Sequence, residues 1–363
     1  MHIPDGFIDA KTALATGAIA ATGLSVALAS VRRRIQARRI PLIGLAAAFV
    51  FAAQMLNFPV AGGTSGHLIG AVLVTVLLGP SAAIVVMSAV LILQCFMFAD
   101  GGLTALGTNL FNMALVAPGV GYVTYTVVRR LTGKGLRSRL LATAFASWCS
   151  TVAAAIACAG ELALSGTVAW AASFPAMTIV HMLIGVGEAL ITTLVVAAVA
   201  RVRPDLLLEQ GQADFQPRYR ELALYGLLVC LGLALFVAPF ACGWPDGLDR
   251  VAATLGFEHK VQTPVFSSPL AGYTIPGIGS AAWSVAIAGC AGTLIAFVLA
   301  YLFARFLTPT CHGERSEPSG RQKESMSVSA RHPDSSLPIR AIGRAGKPNV
   351  EPVLKSEGEP YRA

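Results

Sequence analysis

The chain has 363 residues, of which 55% are hydrophobic and 13% charged, and its mean hydropathy is +0.67. Soluble domains carry about a quarter charged residues, so this composition excludes an ordinary soluble domain and indicates a polytopic membrane protein. The net charge of +8 is read by location, as a report of topology and not of nucleic-acid binding.

The chain opens MHIPDGFIDA, without a basic leader. Apolar runs then follow near 11–31, 41–57, 67–79, 82–97, 106–128, 140–163, 176–200, 220–240 and 282–306. Most reach the roughly 20 residues that a bilayer requires, which predicts an all-α fold with about nine transmembrane segments. The segments are rich in Ala, Leu, Val and Ile with frequent Gly, as in closely packed membrane helices. The third run is short for a full crossing and follows PVAGGTSG (59–66), whose glycines suit irregular backbone buried within protein.

Three basic clusters set the orientation. RRRIQARR (32–39) holds five arginines, RRLTGKGLRSR (129–139) holds five Lys and Arg, and Arg201, Arg203, Arg218 and Arg220 form the third. The positive-inside rule places all three in the cytoplasm. Four crossings separate the first two clusters and two separate the second from the third, so the parity agrees. Met1 is then expected outside and the C-terminus inside, in a bacterial inner membrane. The leader lacks a positive n-region and a cleavage site, so it is expected to stay as an N-out helix. His2 is too large a second residue for removal of Met1. The seven cysteines form no CxxC pair and read as small apolar packing residues. From about 307 to 363 the chain turns to Ser, Pro, Arg and Glu and is expected to be a disordered cytoplasmic tail.

The Met-His start carries its own chemistry. A free Met1 amine and the His2 amide nitrogen close a five-membered chelate, and the His2 amide and its Nδ1 close a six-membered one. Three nearly coplanar nitrogens suit an ion with a square-planar preference such as Ni²⁺ or Cu²⁺, and not Zn²⁺. Of six histidines, His312 and His332 fall in the tail, whereas His67 follows GGTSG on the same side as Met1 and could close the square. The residues alone fit an exposed start-site histidine and a His67 that merely caps a helix better than they fit this ring of nitrogens. Pro4-Asp5-Gly6 is a turn, with Asp5 stabilising it.

Four stretches, MHIPDGFID (1–9), NFPVAGGTSGHLIGA (57–71), FADGGLTALGTNLFNMA (98–114) and HMLIGVGEALIT (181–192), resemble the CbiM/NikM family, the substrate-capture subunits of energy-coupling-factor nickel and cobalt transporters. The resemblance covers roughly residues 1–205. It implies a capture-subunit bundle with an extra N-terminal helix, and Met1 (amine), His2 (amide and imidazole) and His67 (imidazole) as metal ligands. The ion, Ni²⁺ or Co²⁺, is then a transported ligand and no cofactor is expected. The segment 206–306 resembles the PDGLE domain, an accessory module with two membrane helices, its motif appearing here as PDGLD (245–249). That module tilts the choice towards nickel. The implied partners are a transmembrane coupling subunit, ATPase subunits and the bilayer.

Other polar residues lie inside the apolar runs, where they are costly and often functional. His181 and Glu188, seven apart, share a helix face and read as supporting or interhelical groups. Asn109 and Asn112 are expected to orient the imidazoles of His2 or His67, with Asn57 and Gln54 weaker candidates. Asp100 equally suits a loop turn, and His259 reads as a surface histidine. No G-x-x-x-x-G-K-[ST] motif occurs, so ATP hydrolysis falls to other chains. No catalytic residues are expected. Two alternatives are a Co²⁺ uptake subunit supplying cobalamin synthesis and an intramembrane metalloenzyme; HMLIGVGE supplies only one His and one distant Glu for the second.

Overall fold

The computed structural model describes residues 1–133, 135–207 and 219–307. The sequence-predicted tail, including His312 and His332, lies outside them. Eight helices among the described residues are long and apolar enough to cross a membrane, against the nine segments expected. The difference is the third segment. There the helix α3 (Ala71–Leu78) has eight residues and stops at Gly79, whose φ of +91° breaks the helix before Pro80 opens α4 (Pro80–Leu93). The chain nevertheless changes ends. α3 follows His67, and Ser81 at its far end hydrogen-bonds Ser30 near the arginine cluster at 3.0 Å. The parity of the basic clusters therefore survives the loss of one full-length helix.

The first helix, α1 (Ala10–Arg34), is capped by Asp9, whose carboxylate accepts from the Lys11 and Thr12 amides, and it ends in Arg32, Arg33 and Arg34. An acceptor at the N-terminus and cations in the last turn both suit the helix dipole. α1 lies against α5 (Leu106–Asn109), where a Cβ on Gly107 would meet the Gly17 Cα at 2.6 Å. Thr16 and Thr108 hydrogen-bond across the same contact at 2.8 Å. Two backbones approach this closely only over small residues.

The centre is built by α2 (Ile40–Gln54) and α4, most of whose residues are buried. After α2 a short hairpin forms, β1 (Phe58–Val60) pairing antiparallel with β2 (Thr64–Gly66). Its glycines at 62 and 63 take φ of +85° and +71°, which residues with a Cβ rarely adopt. α4 ends in a π turn over Gln94–Phe98, and α5 continues through a second over Leu110–Val116 into α6 (Ala117–Thr132). Such turns re-aim side chains and recur at functional sites. α7 (Leu136–Leu164) and α8 (Trp170–Val202) pair as a long hairpin.

The C-terminal part has two long helices, α9 (Tyr219–Phe236) and α11 (Ala281–Leu307), both packed on α2. The connection between them carries the short α10 (Gly247–Leu255) and lies at the Met1 end, where Gln262 N–H donates to the Asp5 carbonyl at 2.9 Å. The described residues belong to one compact unit.

Candidate metal centre

The N-terminal segment enters the protein. Met1, Ile3, Asp5 and Phe7 are buried in alternation with half-exposed neighbours, and the chain turns at Asp5-Gly6, where Gly6 takes φ of +95°. Asn109 fixes this segment from both sides: its Oδ1 accepts from Ile3 N–H at 2.9 Å and its Nδ2 donates to the Ile3 carbonyl at 3.1 Å. The same carbonyl accepts from Gly102 N–H at 2.8 Å. Asp5 accepts from the Thr104 amide and hydroxyl at 2.8 and 2.6 Å, so the Pro-Asp-Gly turn is also pinned to the 99–104 loop.

The terminal amine ends 2.9 Å from His67 Nε2. His67 Nδ1 lies 3.2 Å from the Leu68 carbonyl, to which only an N–H can donate. Nε2 therefore keeps its lone pair, aimed at the amine. Burial, helped by the positive terminus, pushes the His67 imidazole down to about 3, so the ring is neutral. Glu188 holds the loop behind it, accepting from the amides of Ile69 at 2.6 Å and Gly70 at 3.0 Å.

A chain of amides sets His2. Gln54 Nε2 donates to the Ile69 carbonyl at 2.9 Å, and Gln94 Nε2 donates to Gln54 Oε1 at 2.8 Å. This leaves Gln94 Oε1 as the acceptor 3.2 Å from His2 Nε2. With its proton on Nε2, His2 presents the lone pair of Nδ1. That atom faces Asp100 Oδ1 at 3.2 Å. A lone pair opposite a carboxylate oxygen is an arrangement that a cation or a proton satisfies. Burial lowers the His2 pKa, against the raising influence of Asp100. The His2 and His67 rings lie nearly parallel with centroids 5.3 Å apart.

Two nitrogens held cis on one ion at about 2.0–2.1 Å are about 2.9 Å apart, which is the separation of the amine from His67 Nε2. No cluster of three His, Cys, Asp or Glu side chains is arranged to hold a metal among the described residues.

The expected ligands Met1, His2 and His67 thus converge. Of the expected supporting residues, Asn109 acts on the Ile3 main chain rather than on an imidazole, and Glu188 on the loop of His67. Asn112 turns away and donates to Glu161 at 2.6 Å. Asn57 contributes its carbonyl, which accepts from Cys242 N–H at 2.9 Å. His181 Nδ1 bonds the Met177 carbonyl at 2.8 Å, and its Nε2 is buried without a hydrogen-bond partner. His259 is exposed.

Three residues at the site were not singled out for it. Gln94, rather than an asparagine, orients His2. Asp100 faces its Nδ1. Asp246, from the PDGLD motif, places Oδ2 at 2.6 Å from the terminal amine. Asp100 had a usable signal, an acid in a Gly-rich loop at the end of a membrane segment. Asp246 is 245 positions from its partner, and nothing local in sequence links the two.

Residues 2–206 match the family described as the cobalt uptake substrate-specific transmembrane region, and residues 220–309 match the PDGLE domain. A provisionally named fused nickel transport protein NikMN of Archaeoglobus fulgidus is 36% identical, covering 84% of this chain and 99% of its own length. The fused nickel transport protein NikMN of Rhodobacter capsulatus is 34% identical over 67% of this chain and 75% of its own. A crystal structure of a truncated transition metal transporter superposes with a TM-score of 0.51 at 35% identity, covering 55% of this chain and 99% of that one. The chain belongs to the cobalt-uptake substrate-specific transmembrane family, here joined to a C-terminal PDGLE domain.

Proposed function

We propose that this chain is the ion-capturing membrane subunit of an ATP-driven importer for Ni²⁺, with the Met1 amine, the His2 amide, His2 Nδ1 and His67 Nε2 as a planar donor set. The observation that carries this reading is the buried amine 2.9 Å from the lone-pair nitrogen of His67. The relatives' names support a transported transition metal, and the planar set favours Ni²⁺ over ions without that geometric preference. Co²⁺ is the alternative cargo.

Capture replaces one ammonium proton of Met1 and the amide proton of His2 by the ion, so two protons leave as four nitrogens bind. The protein performs no covalent chemistry. In this reading residues 1–205 form the capture domain, 206–306 the accessory module and 307–363 a cytoplasmic tail. The metal centre opens outside the cell and the arginine clusters lie in the cytoplasm. A separate transmembrane coupling subunit and ATPase subunits supply the energy.

The reading requires Met1 to be the mature terminus, which the intact mass of the purified protein checks. Ni²⁺ titration of the native protein and of His67→Ala then tests it. The variant should lose high-affinity binding, and unchanged affinity contradicts the assignment. His181→Ala should keep at least part of the binding, because its Nδ1 is bonded to the Met177 carbonyl and its ring packs against Gly247.

A further inference from the structure

The C-terminal module touches the metal centre at two points, and its motif residues make the contact. Asp246 caps α10: Oδ1 accepts from the Leu248 and Asp249 amides at 2.8 and 2.9 Å. With Oδ1 so held, Oδ2 is fixed in direction and reaches the Met1 amine at 2.6 Å. The neighbouring carbonyls dock on the strand that leads into His67. Ser65 N–H donates to the Pro245 carbonyl and Ser65 Oγ to the Trp244 carbonyl, each at 2.8 Å. Gly247 fits where nothing larger would, since a Cβ there would stand 2.8 Å from His181 Cε1 and from Ile184 Cδ1. Pro, Asp and Gly of the motif are thus each occupied at this interface.

The second point is Tyr273. Its hydroxyl donates to Asp100 Oδ2 at 2.6 Å, while Asp100 Oδ1 faces His2 Nδ1. The ring stacks on Phe98, with centroids 4.7 Å apart. Tyr273 adopts φ of +58°, a left-handed backbone that is strained for an aromatic residue and persists where surroundings over-determine it. Among the described residues only Ala99, beside Asp100, shares this state without being glycine.

We propose that the PDGLE module is the outer half of the metal centre: Asp246 holds the terminal amine beside His67, Tyr273 holds Asp100 against His2, and together they close the captured ion from the outer side. This rests on the ligand reading above. Both are positioning residues. Asp246 meets the amine's N–H groups whether the nitrogen is an ammonium or a metal-bound amine, so its hold persists through capture. Fusion to the capture domain keeps this half in place at high effective concentration.

The test uses the full chain with a native terminus, loaded with Ni²⁺ and mixed with excess EDTA, release being followed by loss of the planar Ni²⁺ absorption band. Asp246→Asn keeps an N-cap and removes the charge; Tyr273→Phe keeps the ring stack and removes the hydroxyl. Asp246→Asn should release Ni²⁺ at least tenfold faster and Tyr273→Phe about threefold faster, with the band itself unchanged because the four donors are intact. Loss of all binding by Asp246→Asn at a native melting temperature also supports the proposal. Wild-type release from Asp246→Asn overturns it. If that variant melts early, the Tyr273→Phe rate decides in its place. Binding that survives His67→Ala overturns the ligand reading itself, whereas binding lost there with wild-type release from Asp246→Asn overturns only the role of the module.

Discussion

Each proposed donor side chain at the centre is aimed by a partner that satisfies its other polar group. His67 is set by the Leu68 carbonyl, His2 by Gln94, and the segment between them by the two hydrogen bonds of Asn109 to Ile3. Removing the Asn109 pair leaves the buried Ile3 N–H without its partner and the Ile3 carbonyl held by Gly102 N–H alone. Asn109→Ala should therefore weaken Ni²⁺ binding by about 10–100-fold, the usual effect of losing a group that orients a metal ligand; isothermal titration measures it. The chelate also predicts a proton count. About two protons should leave per ion captured, since the amine and the amide must both be deprotonated to bind. Titration in buffers of different ionisation enthalpy reads that number, and a value near zero would indicate imidazoles alone. At this scale His2 and His67 stand out in the sequence as candidates because their chemistry is local: a start-site histidine and a histidine behind a Gly-rich loop. Gln94 and Asp246 were not, because their roles arise from side chains brought together across 92 and 245 positions.

Helices and turns deliver these residues to one place. The apolar runs mark the helices well, because a membrane segment must satisfy its backbone internally and so reads as a long apolar stretch. What they do not mark is a helix that starts inside the protein. α3 begins beyond His67 and spans only eight residues, and the run preceding it in sequence contains the loop that sinks His67 below the surface. The π turn at Gln94–Phe98 is also silent in sequence, since its hydrogen-bond shift depends on packing, yet it bears the residue that orients His2. The small-residue contact between α1 and α5 carries its own expectation. Gly107→Val would press a side chain onto the Gly17 backbone and should destabilise by about 1–3 kcal/mol, as overpacking does. A lowered melting temperature in detergent tests this, and an unchanged one would mean that α1 moves aside freely.

For the whole molecule, the positive-inside rule gives the expected orientation, with the basic clusters in the cytoplasm and Met1 outside. In a background with the native cysteines replaced, Gly243→Cys should react with a membrane-impermeant maleimide in intact cells, and Gly135→Cys only after lysis. The reverse pattern would invert the topology. The two-part organisation was legible from the change in motif near residue 206. The way the parts meet was not, because the PDGLD motif looks like a loop signature in sequence and its contact with Met1 through Asp246 arises only in the fold.

The central claim, that the polypeptide start is itself a ligand, is tested most directly by Ni²⁺ titration of two purified forms, one beginning at a native Met1 and one extended by an N-terminal tag. High-affinity binding by the native form and its loss in the tagged form are predicted. Equal affinity in both would contradict the account.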